Sequence, residues 1–320
     1  MKAMVQNSYG PPEVIVLQEI AEPSPGDKEI RIRIQAASVG PSDCAFRKGD
    51  PSMIKLIYGW SRPKYAIGGC ELAGVIEAVG KEVQQFKPGD CVLGMSVKTF
   101  GAYAEYKCLS DESPLAVIPD TLTFEEAVAV CDGGATALTF LRDKAKLREG
   151  QKGLINGASG AVGIYAVQLA KYYGAEVTGV CSGGNEGLVR KAGADFVIDY
   201  TREDFTKADK VYDVIFDAVG KRSFSACKRV LTAKGIYLTT VPGLSILLQM
   251  MWTSMLKGKR AVFAAAGLMQ NKANLTFLME LANNGTLNAV IDRRYPLERL
   301  PDAHIYVETE RKKGNVIIQF

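Results

Sequence analysis

The first 120 residues alternate apolar and polar positions in short runs broken by turns. Residues 29–36 (EIRIRIQA) set Ile30, Ile32 and Ile34 between charged neighbours, the period-two pattern of a half-buried strand. Residues 74–80 and 91–95 repeat it, the second after the turn sequence Lys87-Pro88-Gly89-Asp90, and 101–106 reads as another strand. This spacing predicts a β-rich, partly barrel-like domain. After Pro119-Asp120 the period lengthens, and 124–130 and 135–145 predict two helices. From 152 onward, strands at 153–156, 176–181, 196–200, 211–217, 235–241 and 261–265 alternate with helices such as 161–173, 186–192 and 223–231. That order is the mark of a doubly wound parallel sheet, so the fold class is α/β. A helix over 272–284, a short helix over 301–310 and a strand over 315–320 close the chain.

One stretch stands apart. Residues 244–256 (LSILLQMMWTSML) form the most apolar window, yet thirteen residues with Gln, Ser and Thr among them are too short to span a bilayer. A buried or interface helix, a lid over a ligand cleft, and an interfacial membrane contact beside Lys257-Gly258-Lys259-Arg260 are all compatible with it.

Composition narrows the chemistry. Apolar residues make up 47% and charged residues 23% of the 320, which excludes disordered, coiled-coil and disulfide-scaffold classes. A net charge of +4 gives no reason to expect a nucleic-acid partner. The single histidine, His304, leaves Ser–His, Cys–His and multi-imidazole metal chemistry with one residue to draw on. The seven cysteines form no C-x-x-C pair, which fits a reducing, cytoplasmic compartment. The N-terminus shows no apolar signal-peptide core, and no transmembrane segment is expected.

The strand at 153–156 runs into Gly157-Ala158-Ser159-Gly160-Ala161-Val162-Gly163 and then a helix. Glycines at 157, 160 and 163 let the chain turn off the strand, approach a pyrophosphate and pack the helix close. Helix-start N–H groups and the helix dipole then favour an anion, so the loop predicts dinucleotide binding, although Ala158 breaks the strict G-x-G-x-x-G form. An NAD site normally places an acid about 20 residues on. Here Ser182 stands there, followed by Gly183-Gly184-Asn185. A carboxylate ~5 Å from a 2′-phosphate costs roughly 3 kcal/mol at an effective dielectric near 20, so its absence favours NADPH. Arg190 and Lys171 are the basic candidates for that phosphate.

Several further motifs occur in one order: Gly40-Pro41-Ser42-Asp43 with Arg47 and Gly49, Gly69-Cys70-Glu71-Leu72-Ala73-Gly74, Gly133-Gly134-Ala135-Thr136-Ala137, residues 192–200 (AGADFVIDY), Asp213 to Asp217, Asp302-Ala303-His304 and Gly314-Asn315-Val316-Ile317. Together with the loop, these make the chain resemble the medium-chain dehydrogenase/reductase superfamily, in its zinc-free quinone oxidoreductase (zeta-crystallin-like) branch. The resemblance implies a GroES-like catalytic domain, 1–122 and 266–320, with an inserted Rossmann domain, 123–265. It implies that Ser159, Gly160, Ala161 and Val162 hold the pyrophosphate and that Thr136 lies near the nicotinamide. Tyr200 would sit by the adenosine or the 2′-phosphate. Apart from the resemblance, the count places Ser182 at the cofactor, and Val241, Pro242 and Gly243, at the end of a strand, sit where doubly wound folds bind ligands. Zinc-dependent relatives place ligands at positions that here are Gly40, Cys70 and Asp132, and a structural-zinc lobe where only Cys91 and Cys108 occur. A zinc site needs three or four protein ligands, so a metal-free protein is expected. Asn315 stands where relatives carry Lys in Gly-Lys-Val.

The reading that follows is transfer of hydride from NADPH, bound across the domain cleft, to a quinone or an α,β-unsaturated carbonyl. Tyr58 is the candidate proton donor, with half-buried packing as its plain alternative. Asp43 is nominated by its motif but reads first as a helix cap or turn residue, His304 as structural, and Cys70 as a small buried side chain ahead of a reactive thiol. A homodimer is common among such relatives. A nucleotide-binding protein with little turnover, and an alcohol dehydrogenase with an unconventional zinc site, remain the competing readings.

Overall fold

The alternation at 29–36 builds the first sheet. The structure, a computed structural model, describes residues 1–320, the side chain of Ile57 excepted. Its contacts divide it into two units: 1–132 with 270–285 and 289–320, and 133–269 with 286–288.

In the first unit, β1 (Lys2–Gln6) and β2 (Ile15–Glu19) form an antiparallel pair absent from the sequence reading. The long strand β3 (Glu29–Val39) buries Ile30, Ile32 and Ile34 and turns its arginines outward. Two helices follow, α1 (Pro41–Lys48) and α2 (Met53–Tyr58), then β4 (Glu71–Val79), β5 (Cys91–Met95), β6 (Tyr106–Ser110) and β7 (Leu115–Val117). The strand expected over 101–106 begins only at Tyr106. Phe100 and Gly101 have left-handed backbones, φ 50° and 101°, which no strand tolerates. The Tyr103 ring instead turns inward, its hydroxyl donating to the Ser38 carbonyl at 3.0 Å.

The helices expected at 124–130 and 135–145 are one: α3 (Phe124–Leu138) runs straight into a π-helical stretch, Thr139–Ala145. Gly133 lies inside this helix. Its role is close packing, since a Cβ there would lie 2.1 Å from the Ala161 carbonyl oxygen.

The second unit is a six-stranded parallel sheet. Its strands are β8 (Lys152–Asn156), β9 (Glu176–Cys181), β10 (Phe196–Asp199), β11 (Tyr212–Asp217), β12 (Leu231–Thr239) and β13 (Arg260–Phe263). Their spatial order, β10-β9-β8-β11-β12-β13, reverses direction between β8 and β11. In doubly wound folds ligands bind at the carboxyl ends of strands beside such a switch. The connecting helices are α4 (Ala161–Tyr172), α5 (Glu186–Lys191), α6 (Phe224–Cys227) and α7 (Leu244–Ser254). The helix expected over 223–231 stops at Cys227 and tightens into a 3₁₀ turn, Lys228–Val230, because Leu231 already belongs to β12. That strand ends at Thr239, leaving Val241 and Pro242 beyond it. The apolar window is α7, and it is not buried within the chain: only Ile246 and Thr253 are covered, against Leu244 at 75% exposed and Trp252 at 64%. No helix among the described residues is long and apolar enough to cross a membrane.

The chain then completes the first unit with α8 (Lys272–Asn283), β14 (Ile291–Pro296), α9 (Leu300–Glu308) and β15 (Asn315–Gln319). Here β15 pairs antiparallel with the second half of β3, while β6 pairs with its first half. The core of this unit packs the β3 isoleucines with Leu72, Ile76 and Val316 and with Leu300, Ala303 and Val307 of α9.

Candidate active site

In the second unit the glycine loop takes the form its sequence requires. Gly157 turns off β8 at φ 81°, and the Gly157 and Ala158 N–H groups both donate to the Val180 carbonyl, at 3.0 and 2.9 Å. A Cβ at Gly163 would lie 2.0 Å from the Gly157 carbonyl oxygen, so only glycine lets α4 start this close to the loop. No side chain caps α4 at Gly160. The first-turn N–H groups of Ala161, Val162 and Gly163 therefore remain for an anion, and the cradle fits a pyrophosphate.

The loops around it converge. A Cβ at Gly157 would meet Val219 at 2.6 Å, and one at Gly220 would meet Val241 at 2.4 Å. The ends of β8, β11 and β12 thus share one edge, which places Val241 there; Gly243 follows as the exposed N-cap of α7. Thr136, half-buried on α3, lies one turn past Gly133. Asn185, which the sequence reading overlooked, ties two predicted residues together. Its Nδ2 donates to Ser159 Oγ at 3.1 Å and to Ser182 Oγ at 3.2 Å.

Asp217 was quoted only as part of a motif. It is buried, and its carboxylate accepts from Asn156 Nδ2, from the backbone N–H groups of Val219, Gly220 and Arg222, and from the Tyr237 hydroxyl. It fixes the loop after β11.

The 2′ end of the site differs from the count along the chain. No acid stands at the end of β9, but the neighbouring strand brings one: Asp199 Oδ2 lies 2.6 Å from where a Gly183 Cβ would be. The Thr201 hydroxyl and N–H, at 2.8 and 3.0 Å, hold the Asp199 carboxyl below its usual range. Arg202 stands 3.7 Å from this carboxylate with 87% of its side chain exposed, beside the exposed Tyr200. The two basic candidates have other partners. Arg190 pairs with Glu186 at 2.8 Å and Lys171 with Asp195 at 2.8 Å.

In the first unit a cavity of about 40 Å³ is lined by Tyr58, Phe46, Phe100, Tyr103, Asp43 and His304, among others. Tyr58 ends α2, half-buried, its ring edge-on to Phe46 at 4.9 Å and to Phe100 at 5.1 Å. Burial raises its phenol pKa, which keeps the proton in place. Of the two plain readings of Asp43, cap or turn, the structure shows the cap: Oδ2 accepts from the Gly40 N–H at 2.8 Å at the start of α1. Its other oxygen, Oδ1, is buried without a hydrogen-bond partner. Burial, with the nearby Asp132 charge, pushes the Asp43 carboxyl up to about 7.

Around Gly40 lie more acids than the sequence reading weighed. A Cβ at Gly40 would stand 3.6 Å from Asp43 and 3.7 Å from Asp132. Buried Glu71 accepts from the Ser38 hydroxyl at 3.0 Å, and Asp132 accepts from Asn315 Nδ2 at 2.9 Å. Burial raises both carboxyls above the usual range, while Lys312 and Asn315 pull Asp132 back. Asn315 thus uses the position relatives give to Lys to satisfy a carboxylate. Cys70 is buried and its thiol is pushed well up by burial, so it is inert. His304 is buried with Nδ1 3.4 Å from Cys44 Sγ, and burial lowers it to about 3. Among the described residues no three His, Cys, Asp or Glu side chains are grouped closely enough to hold a metal ion.

With this geometry in hand, the relatives can be placed. Residues 26–120 match the alcohol dehydrogenase GroES-like domain and residues 192–318 the zinc-binding dehydrogenase model. A quinone oxidoreductase of Sus scrofa is 32% identical over 95% of this chain and 93% of its own length. A 2-methylene-furan-3-one reductase of Solanum lycopersicum is 32% identical over 99% of this chain and 79% of its own. Among solved structures, the quinone oxidoreductase from Coxiella burnetii superposes with a TM-score of 0.90 at 26% identity, covering 100% of this chain and 99% of that one. The Escherichia coli quinone oxidoreductase complexed with NADPH gives 0.84 at 25% identity, covering both chains fully. The chain belongs to the medium-chain dehydrogenase/reductase superfamily, in its quinone oxidoreductase branch. It is an oxidoreductase with a GroES-like domain and a Rossmann-type parallel sheet, built to bind a nicotinamide cofactor and act on a small molecule.

Proposed function

We propose that this enzyme uses NADPH to reduce quinones or α,β-unsaturated carbonyls and does so without zinc. The observation that carries the reading is the pair Gly40 and Asn315. One offers no ligand where zinc-dependent relatives have one, and the other occupies Asp132 with an amide hydrogen bond. Without a Lewis acid to polarise an alkoxide, alcohol oxidation loses its support, whereas a conjugated acceptor is already electrophilic.

Bound NADPH supplies a hydride from C4 of its nicotinamide. The chain's share is to bind and position. Ser159, Gly160, Ala161 and Val162 hold the pyrophosphate, with Thr136, Val241 and Gly243 bordering the nicotinamide side. Ser182, Arg190 and Tyr200 border the 2′-phosphate. Arg202 joins them, because its side chain is exposed and needs only to leave Asp199 to reach an anion. Tyr58, protonated and set among aromatic rings, donates the proton that an enolate product requires.

The test is NADPH oxidation against a panel of quinones and conjugated enals and enones, with NADH in parallel. Turnover of at least one class, higher with NADPH and unchanged after chelation, is the expected result. Preference for NADH, or loss of activity on chelation, overturns it. Tyr58→Phe is expected to lower kcat for enones about 100-fold and to spare quinones, whose reduced form takes its protons from water.

A further inference from the structure

Residues 51–70 carry Lys55, Arg62 and Lys64 and no Asp or Glu. The first unit folds this stretch tightly against Tyr58. Gly59 turns at φ 119°, where a Cβ would lie 2.2 Å from the Arg62 carbonyl oxygen, and the Lys64 N–H donates to the Tyr58 carbonyl at 2.6 Å. Arg62 and Lys64 themselves are exposed. With Gln6, Asn7, Pro63 and Ala66 they line a second, open cavity of about 390 Å³. Gln6, Pro63 and Lys64 also line the cavity that holds Tyr58, so the two form one passage running inward from the surface.

One sign of charge dominates this passage. On the inner wall Arg47 pairs with Glu308 through Nη2, while its buried Nε and Nη1 have no acceptor. Exposed lysines elsewhere in the unit do find acids: Lys2 pairs with Glu298 at 3.0 Å, Lys48 with Glu308 at 3.1 Å and Lys81 with Asp27 at 2.9 Å. Among the described residues no carboxylate lies within ion-pair distance of Arg62 or Lys64. The one acid among the described residues of either wall, Asp43, already caps α1. Between the two charged ends, Phe46, Tyr65 and Phe100 give the passage an apolar lining that suits a hydrocarbon spacer. A cleft lined by one sign of charge concentrates the opposite one, and a guanidinium matches the fork of a carboxylate or phosphate. We propose that the acceptor is a conjugated carbonyl with an anionic tail, the tail held by Arg62 and Lys64 and the reducible end beside Tyr58. This rests on the reduction proposed above and narrows its substrate class.

The test uses three enones that share one reacting end and finish in a carboxylate, a phosphate monoester or a methyl ester. NADPH oxidation gives kcat/KM for each, and calorimetry on the NADPH-loaded enzyme gives the Kd of the corresponding saturated ketones. An anionic tail should improve both constants about fivefold over the ester, with the gain in KM and shrinking as salt is added. The larger of the two anionic preferences says whether carboxylate or phosphate is the tail. Arg62→Gln/Lys64→Gln should bring the ratio of anionic to ester constants to about one. Equal Kd for anionic and ester ketones overturns the inference, as does a preference that survives in the double variant. Turnover of the ester as good as that of the anionic enones upholds the reduction and sinks this inference; a Kd preference without turnover of any enone does the reverse. Circular dichroism checks the fold of each variant. Arg62→Gln alone, which should lower the ratio in part, keeps the test decisive should the double variant fail to fold.

Discussion

His304 sensitises the molecule to acid, in the opposite sense to the raised Asp43 carboxyl. The folded chain holds the histidine neutral down to about 3, because burial and the nearby Arg47 charge oppose protonation, whereas the unfolded chain accepts the proton near 6.5. The folded pKa is the lower one, so the stabilisation is whole above 6.5 and drains away as pH falls toward 3. Between pH 7.5 and 5.0 this group removes about 2 kcal/mol of unfolding free energy. Denaturant titrations of His304→Gln should show a pH dependence smaller by that amount, and parallel curves for variant and parent would refute it. The same scale shows where residue-by-residue reading stops. That Asp43 caps or turns the chain was legible in its place just after Gly40-Pro41. Asp199 and Asn185 were not, because what matters about each is a neighbour on another strand or loop: Gly183 for the first, Ser159 for the second.

At the level of elements, glycine carries two meanings that sequence alone does not separate. Gly157 is a turn at positive φ, as read; Gly133 is a contact in mid-helix, within the gap between the two expected helices. Gly133→Ala should therefore cost about 1–3 kcal/mol by overpacking against Ala161. Gly184→Ala, whose Cβ meets nothing within 4 Å, should fall within about 0.5 kcal/mol of the parent in the same urea titration. The loop after β11 gives a second case. Asp217→Asn turns one acceptor into a donor facing donors and should cost about 1–3 kcal/mol. Because that loop touches Gly157 and Val241, the KM for NADPH should rise along with the loss of stability. Most parallel strands of the second unit were found within two residues, since runs such as Glu176–Cys181 are apolar and bounded by turns, whereas β12 starts at Leu231, four residues before the expected 235. The pair β1 and β2 escaped because the alternation there is weak: exposed Val16 and Leu17 sit where polar residues would have signalled a strand.

For the whole molecule, two units imply that heat need not unfold everything in one step. NADPH at 100 times its Kd should stabilise the 133–269 unit by about 2.7 kcal/mol, read as a raised Tm for one transition in calorimetry. Prolonged chelation should leave both transitions where they were. The order of elements was legible at this scale because βαβ alternation leaves few topologies open. The exposure of α7 was not, since a run of apolar residues states that something covers a helix and not what does.

On the zinc-free reading proposed above, Gly40 and Asn315 also bear on whether substitution could make room for a metal. A side chain at 40 has to enter beside two carboxylates, one of which is already capping a helix and the other already bonded across to β15. Gly40→Cys by itself therefore supplies a thiol to a place whose acids are committed elsewhere, and regaining a metal requires position 315 to change with it. On that reading each step alone is a loss, so a zinc site is hard to build here one substitution at a time.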